Sequence, residues 1–453
     1  MLSLEDTLDH AIKIPHEDFM RNLGQIGFMH RSKRVLSWHH WSIRVLARSL
    51  YFLITPSYKS DDVDYGKYEW ILMNDHRGHA ELFMHGIIDR FSDLSSVSLI
   101  TLNRGLTLPR SDINLQLNTF RSISLNSLFY AVKYSMIRRE RFIGLGVWKI
   151  PAFLTHVFDS SLIIEAHRFY AGVKFSANAK LICLCDSHWH QSVVTSTFKN
   201  RGLVSFTCIH GVPSKWKMWS PFMSDYVLSW GDSMSDAILR NCDDMSSDRL
   251  IKIGNTKYRE PVQTSAVELP KPDEITEIVF ISPCYNCSDT YGLKGLEREI
   301  KKFIQLSIPG VSFTIRPYPY REEIECVENL LRQMGLSGQV KILTESAFAD
   351  LVVPGRLFVG SISSAIADVV ILGGIFVGLC EEISRKLAAT HVCYSSDIYF
   401  NMDDLEIFIR NLRDDSHFQR HLKRMSVLRD GLLSPVVESL DLYLIDKIVT
   451  HQQ

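Results

Sequence analysis

From residue 69 onward the chain repeats one pattern, in which a short apolar or β-branched run gives way to a helix-length segment and then to another run. Such alternation is the mark of βα units wound around parallel sheets, because continuous apolar strands are stable only when helices cover both sheet faces. The first series of expected strands is Trp70–Met73, Val97–Thr101, Leu181–Cys185, Leu203–Cys208, Tyr226–Ser229 and Leu250–Ile253. Residues 120–175 carry more helix than a minimal unit needs and read as an insertion. A second series follows at Ile278–Ser282, Val311–Arg316, Val340–Leu343, Leu357–Gly360 and Ile375–Leu379. Between the two series, residues 259–274 hold Pro261, Pro270 and Pro272 with little periodicity, which marks a linker. The expected division is therefore a first domain over 1–258, the linker 259–274, a second domain over 275–430, and a closing helix over 431–453 that returns to the first domain. At 453 residues the chain is long enough for two such domains.

Charge excludes one class of partner. A formal net charge of −1 provides no field that would draw nucleic acid to the whole molecule. The nine cysteines are odd in number and scattered through apolar runs, as reduced thiols in a cytoplasmic protein would be. The first residues lack the basic and apolar regions of a secretory signal. The stretch from Leu357 to Cys380 is apolar enough to be weighed as a membrane span, but Asp368 in its middle and Gly373-Gly374 favour a buried strand, helix and strand. Two segments mix cations with aromatics: Lys33, Arg34, Arg44 and Arg48 with Trp38 and Trp41, then Lys133, Arg138, Arg139 and Arg141 with Phe129, Tyr130, Tyr134 and Phe142. Each suits either a solvated helix packed on the core or peripheral contact with an anionic inner membrane.

Polar clusters fall where the strands end. Gly360-Ser361-Ile362-Ser363-Ser364 leads from a strand directly into a helix bearing Asp368, so backbone N–H groups, hydroxyls and the positive helix end would meet a phosphate there; the plainer reading is that Ser363 and Ser364 cap the helix. One unit earlier, Arg316 ends a strand before Pro317-Tyr318-Pro319, which places a guanidinium where it can pair two phosphate oxygens. In the first domain His210-Gly211 ends one strand, Asp186-Ser187-His188 another, and Asn74-Asp75-His76 a third. His210 and Asp186 lead as candidate general bases, followed by His188, His76 and Asp75. The histidine spacings match no established zinc pattern, so neither metal nor cofactor is expected. The usual fingerprints of kinases, dehydrogenases and hydrolases are absent from the sequence.

Taken in order, Ile209-His210-Gly211, Asp225-Tyr226 through Trp230-Gly231, Ile253-Gly254-Asn255, Arg316-Pro317-Tyr318-Pro319, and Gly360 through Asp368 with Leu372-Gly373 resemble bacterial GT-B glycosyltransferases of surface polysaccharide (capsule and lipopolysaccharide) synthesis. The nearest likeness is to the set with CMP- or CDP-activated donors: Kdo transferases, polysialyltransferases and teichoic-acid glycerophosphotransferases. The resemblance implies an α/β fold of two Rossmann-like domains facing a central cleft, with extra N-terminal and inserted helices. It implies a metal-independent transferase that takes a nucleotide sugar, with CMP as the first donor, and a glycan or lipid-linked glycan acceptor. On this likeness His210 and Gly211 line the active cleft, while Ser363 and Ser364, with Arg316, Tyr318, Gly360, Ser361 and Asp368, serve the donor. Tyr318 stands where such families carry histidine, so Arg316 or Tyr318 would neutralise the leaving phosphate. The alternatives are a glycerophosphotransferase, a sugar-nucleotide epimerase or hydrolase of the same fold, and a non-catalytic assembly partner.

Overall fold

Short strands with every residue buried need neighbours on both edges and helices on both faces, and that demand organises the molecule. The computed structural model describes residues 2–12, 64–75, 79–101, 114–117, 123–142, 149–185, 188–210, 222–258, 274–282, 292–306, 308, 310–317, 321–344, 348–360, 365–379, 398–412, 414–433, 435 and 437–452. The first sheet contains β1 (Trp70–Met73), β2 (Val97–Thr101), β3 (Asn114–Leu117), β4 (Lys180–Cys183), β5 (Val204–Cys208), β6 (Tyr226–Ser229) and β7 (Leu250–Lys252). The second contains β8 (Glu277–Ile281), β9 (Ser312–Arg316), β10 (Lys341–Ile342), β11 (Arg356–Gly360), β12 (Ile375–Leu379) and β13 (Tyr399–Phe400). Their orders are β3-β2-β1-β4-β5-β6-β7 and β10-β9-β8-β11-β12-β13, with parallel pairing throughout. Strand order reverses beside β1 in one sheet and beside β8 in the other, so each has a switch point, between β1 and β4 and between β8 and β11.

Helices α1 (Leu4–Ala11), α2 (His79–Asp89), α3 (Leu125–Ile137), α4 (Lys149–Gly172), α5 (Trp189–Asn200) and α6 (Asp232–Asn241) serve the first sheet. Helices α7 (Gly292–Gln305), α8 (Arg321–Gln333), α9 (Phe348–Leu351), α10 (Ala365–Ile371), α11 (Met402–Asn411) and α12 (Asp415–Leu433) serve the second, and α13 (Leu440–Gln452) closes the chain. The two-residue alternation of the strands sends Ile71 and Met73 into a core with α1, α3, α4 and α5, and Trp70 and Leu72 into the opposite core. That second core runs on into the other sheet: it holds Val279, Ile281 and Phe358 together with residues of α10, α12 and α13. The outer face of the second sheet, with Ile278, Phe280 and Leu357, packs against α7, α8 and α11. No helix among the described residues is long and apolar enough to cross a membrane.

The first sheet hands over to the second through residues 253–258, and α2 grips that segment. Arg90, buried at the end of α2, donates to the carbonyls of Ile253 (2.9 Å), Asn255 (3.3 Å) and Tyr258 (3.1 Å). Thr256 donates its hydroxyl to the Phe83 carbonyl at 3.1 Å. A Cβ on Gly86 would stand 1.4 Å from the Thr256 carbonyl oxygen, so this crossing tolerates only glycine. Gly254, at φ +72°, turns the chain under the carbonyls of Leu433 and Pro435 at the end of α12. The Leu440 amide then donates to the Arg90 carbonyl at 2.7 Å, and Asp441 accepts from the Ser92 amide at 3.2 Å, which seats α13 on the first domain.

Two stability measurements check this packing. Gly86→Ala should lower stability by about 1–3 kcal/mol or more through overpacking, whereas Gly172→Ala, with nothing within 4 Å of its new Cβ, should leave the denaturation midpoint unchanged or raised. His421, buried on α12, donates from Nε2 to the Phe376 carbonyl at 2.7 Å. Burial pushes its pKa from 6.5 down to about 4; the bond to Phe376 opposes that shift and the charge of Arg424 adds to it. Between those values the unfolded chain binds a proton that the folded chain refuses. The contribution is therefore whole above the unfolded pKa and falls, by roughly 3 kcal/mol, as pH drops toward the folded one. Denaturant curves of His421→Gln should lack that part of the acid slope.

Candidate functional site

Parallel strands point their carboxyl ends to one edge, and both switch points open there. In the first domain β1 runs into Asn74 and Asp75, while β4 runs into Leu184 and Cys185. Gln191, in the first turn of α5, accepts the amides of Leu184 and Cys185 at 2.9 Å each, so the strand end is pinned to the helix that follows it. His190 donates from Nδ1 to Asp75 Oδ2 at 2.9 Å, because a carboxylate only accepts. Its Nε2 shares a hydrogen bond of 2.7 Å with the Tyr170 hydroxyl. The Asp75 side chain is 2% exposed, and that of His188, whose Nδ1 lies 3.8 Å from Asp75 Oδ2, is 28% exposed. Asp75, expected as a proton acceptor, is thus enclosed and bonded to His190, while His188 stands nearer solvent.

His210 closes the group at the end of β5. Its Nδ1 donates to the Leu184 carbonyl at 2.7 Å, which leaves Nε2 as the basic nitrogen of the neutral ring. The ring meets Phe83 edge to face at 6.5 Å between centroids; Phe83 stacks on Trp230 at 5.3 Å, and the Trp230 indole donates to the Ile209 carbonyl at 2.5 Å. The imidazole is thus braced from β4, β6 and α2 at once. His76, Asp186 and Gly211 lie outside the described residues.

In the second domain Ser282, after β8, donates its amide to the Arg316 carbonyl at the end of β9 (3.0 Å). Burial lowers the pKa of the Arg316 guanidinium, and the nearby Asp368 carboxylate opposes that shift. Gly360 ends β11 against β8: a Cβ there would lie 3.0 Å from the Ile281 carbonyl oxygen, so its lack of a side chain serves strand packing. Asp368, on α10, is buried with Oδ1 taking the Tyr258 hydroxyl at 2.7 Å and Oδ2 facing Lys257 Nζ at 2.8 Å. Burial first, then the Asp368 charge, drives the Tyr258 pKa far upward. Asp368, expected to serve the donor, forms a tether between the domains through these two contacts. Tyr318, Ser361, Ser363 and Ser364 lie outside the described residues.

Sequence reasoning placed His190 in the polar cluster after β4 without giving it a role, and passed over Tyr170, Lys257 and Tyr258. The last two had a signal: they follow Ile253-Gly254-Asn255-Thr256 at a strand end. Among the described residues, no three His, Cys, Asp or Glu side chains converge as a metal site would require. The second basic cluster divides. Arg138 and Arg141 pair with Asp9, and Tyr134 and Phe142 are buried, whereas Phe129 is exposed. The first cluster lies outside the described residues.

Denaturation of two variants weighs the tether. Lys257→Met strands a buried carboxylate and should cost about 3–5 kcal/mol; Tyr258→Phe leaves the ion pair and should cost about 1.5–3 kcal/mol.

No protein-family model and no curated protein matches the chain. Solved structures do. HepE of Anabaena in complex with UDP and glucose superposes with a TM-score of 0.52 at 12% identity, over 84% of this chain and 100% of that one. A putative UDP-N-acetylglucosamine 2-epimerase from Listeria monocytogenes gives 0.50 at 11% identity, over 85% of this chain and 97% of that one. At such identities the likeness speaks for architecture. Two parallel-sheet domains with facing carboxyl edges, plus α1 at the start and α3 and α4 between β3 and β4, make this the GT-B fold.

Proposed function

We propose that this chain is a glycosyltransferase that moves a sugar from a nucleotide-activated donor to a hydroxyl of a glycan or lipid-linked glycan in bacterial surface polysaccharide synthesis. One observation carries the reading. The tether of Lys257 and Tyr258 to Asp368 draws the two carboxyl edges together, with the braced His210 on one side and Arg316 on the other.

In the reaction, His210 Nε2 takes the proton of the acceptor hydroxyl as its oxygen attacks the anomeric carbon. The bond from that carbon to the donor phosphate breaks, and the electron pair leaves with the nucleotide. Arg316, with the hydroxyls of Ser361, Ser363 and Ser364 and the phenol of Tyr318, receives the growing charge, and no metal is required. His188, partly exposed beside Asp75, is the second candidate base. The order of motifs favours a CMP-linked donor, and the complex of HepE with UDP and glucose recommends testing a UDP-linked one beside it. The enzyme would work in the cytoplasm.

A thermal-shift panel of CMP, CDP, UDP and GDP tests the donor, since a ligand of the folded state raises the midpoint by mass action. One nucleotide should stabilise the protein well above the others; no shift from any of them removes the reading. Incubation with the matching sugar nucleotide alone should leave it intact, because conversion without acceptor is the mark of an epimerase or hydrolase. His210→Ala should lower turnover by about 10²–10⁴-fold with nucleotide binding retained, and an unaltered rate assigns the proton to another group.

A further inference from the structure

Helix α3 is apolar on the wrong side. Its buried residues are Ser127, Ala131, Tyr134 and Ser135, so two of the four places it offers the core are serines. The opposite face carries Leu125, Phe129, Val132 and Met136, spaced by four, three and four residues and hence stacked in one stripe. Leu125 is 76% exposed and Phe129 75%. Single exposed hydrophobes are ordinary on a protein surface, but a continuous stripe opposite a serine-bearing buried face suits a medium other than water.

The stripe has a definite position. Helix α4 spans 24 residues, roughly 36 Å, against strands of about 13 Å. It precedes β4, so its far end returns to the amino edge of the sheet and its start, at Lys149, stands at the carboxyl edge. Helix α3 runs antiparallel to it. The start of α3 is held by Glu165 and Arg168, and its end by the Ser135 to His156 hydrogen bond of 2.7 Å. Met136 and Ile137 on α3 and Ile150 on α4, all exposed, therefore lie toward the edge that carries Asp75 and His210.

The surrounding charge selects the partner. Lys133 and Arg139 are exposed at and just beyond the end of α3, where Arg138 and Arg141 share the single carboxylate of Asp9 and Glu140 is exposed; at the start of the helix Arg168 and Glu165 offset one another. Four cations against two carboxylates leave the end of the helix positive.

We propose that the α3 face is a docking surface for an anionic phospholipid bilayer, with Phe129 and Met136 entering the acyl boundary and Lys133 and Arg139 meeting the headgroups. The surface is independent of the nucleotide chemistry; it deepens the transferase reading only in naming a membrane-embedded, lipid-linked acceptor as the class of molecule brought to the carboxyl edge.

Flotation of the full chain with vesicles tests the proposal. Vesicles of phosphatidylglycerol and phosphatidylethanolamine should carry the protein at low salt and release much of it at high salt, and vesicles of phosphatidylcholine alone should carry far less. The double variant Phe129→Asp with Met136→Asp should lose about tenfold or more of the bound fraction, with its melting temperature and its nucleotide response unchanged, because both side chains already face outward. Lys133→Glu with Arg139→Glu should weaken binding and flatten its salt dependence. Wild-type protein that stays behind anionic vesicles, or a Phe129 and Met136 variant that floats equally well, overturns the proposal. So does a dimer in light scattering that the same variant dissolves, which would assign the face to a second copy. Retained nucleotide binding in any of these outcomes leaves the transferase reading standing by itself.

Discussion

The close contact of α2 with residues 253–258 is the constraint on which the two-domain arrangement depends. Gly86 lets the helix backbone reach the Thr256 carbonyl, and Arg90 gathers three carbonyls of the same segment with one guanidinium. The Ile253 and Asn255 carbonyls lie in a buried crossing, where an unmade hydrogen bond costs more than a made one contributes. With that crossing held rigid, Lys257 and Tyr258 emerge in register to meet Asp368, and the apolar core continues from one sheet into the other without a break. The cleft thus has a fixed floor.

Around that floor the domains use their switch points differently. The first offers imidazoles held by their partners: His190 between Tyr170 and Asp75, and His210 on the Leu184 carbonyl. The second offers the buried guanidinium of Arg316 near Asp368, with Gly360 ending β11 against β8. Under the proposed transfer such separation is useful, since a phosphate beside the base would hold it protonated.

Much of the sheet architecture was legible in the chain. β1, β2, β6 and β12 have the bounds expected from their apolar runs, and β11, α10 and β12 account for the stretch weighed as a membrane span. The strands that escaped notice were β3, Asn-Leu-Gln-Leu, and the two-residue β13. Both lie at sheet edges, where one side lacks a neighbour and the demand for a continuous apolar run is relaxed. The strand-end clusters were also visible as polar residues after apolar runs, but their division of labour was not. Asp75 and His190 are 115 positions apart, and Tyr258 and Asp368 are 110 apart. No local pattern reveals that one carboxylate is enclosed by a histidine and the other by a phenol and an ammonium.

The amino-acid sequence by itself determined the βα series, the carboxyl-end placement of His210 and Arg316, and the mixture of cations and aromatics after residue 125. These follow from short-range rules: strand period, helix period, and the few residues that end each element. Only the tertiary structure decided which acids face inward, which glycine admits a neighbouring backbone, and that the serines of α3 are buried while its Phe and Met look outward. Burial is a property of what packs against a residue, and in parallel sheets the packing partners come from distant crossovers.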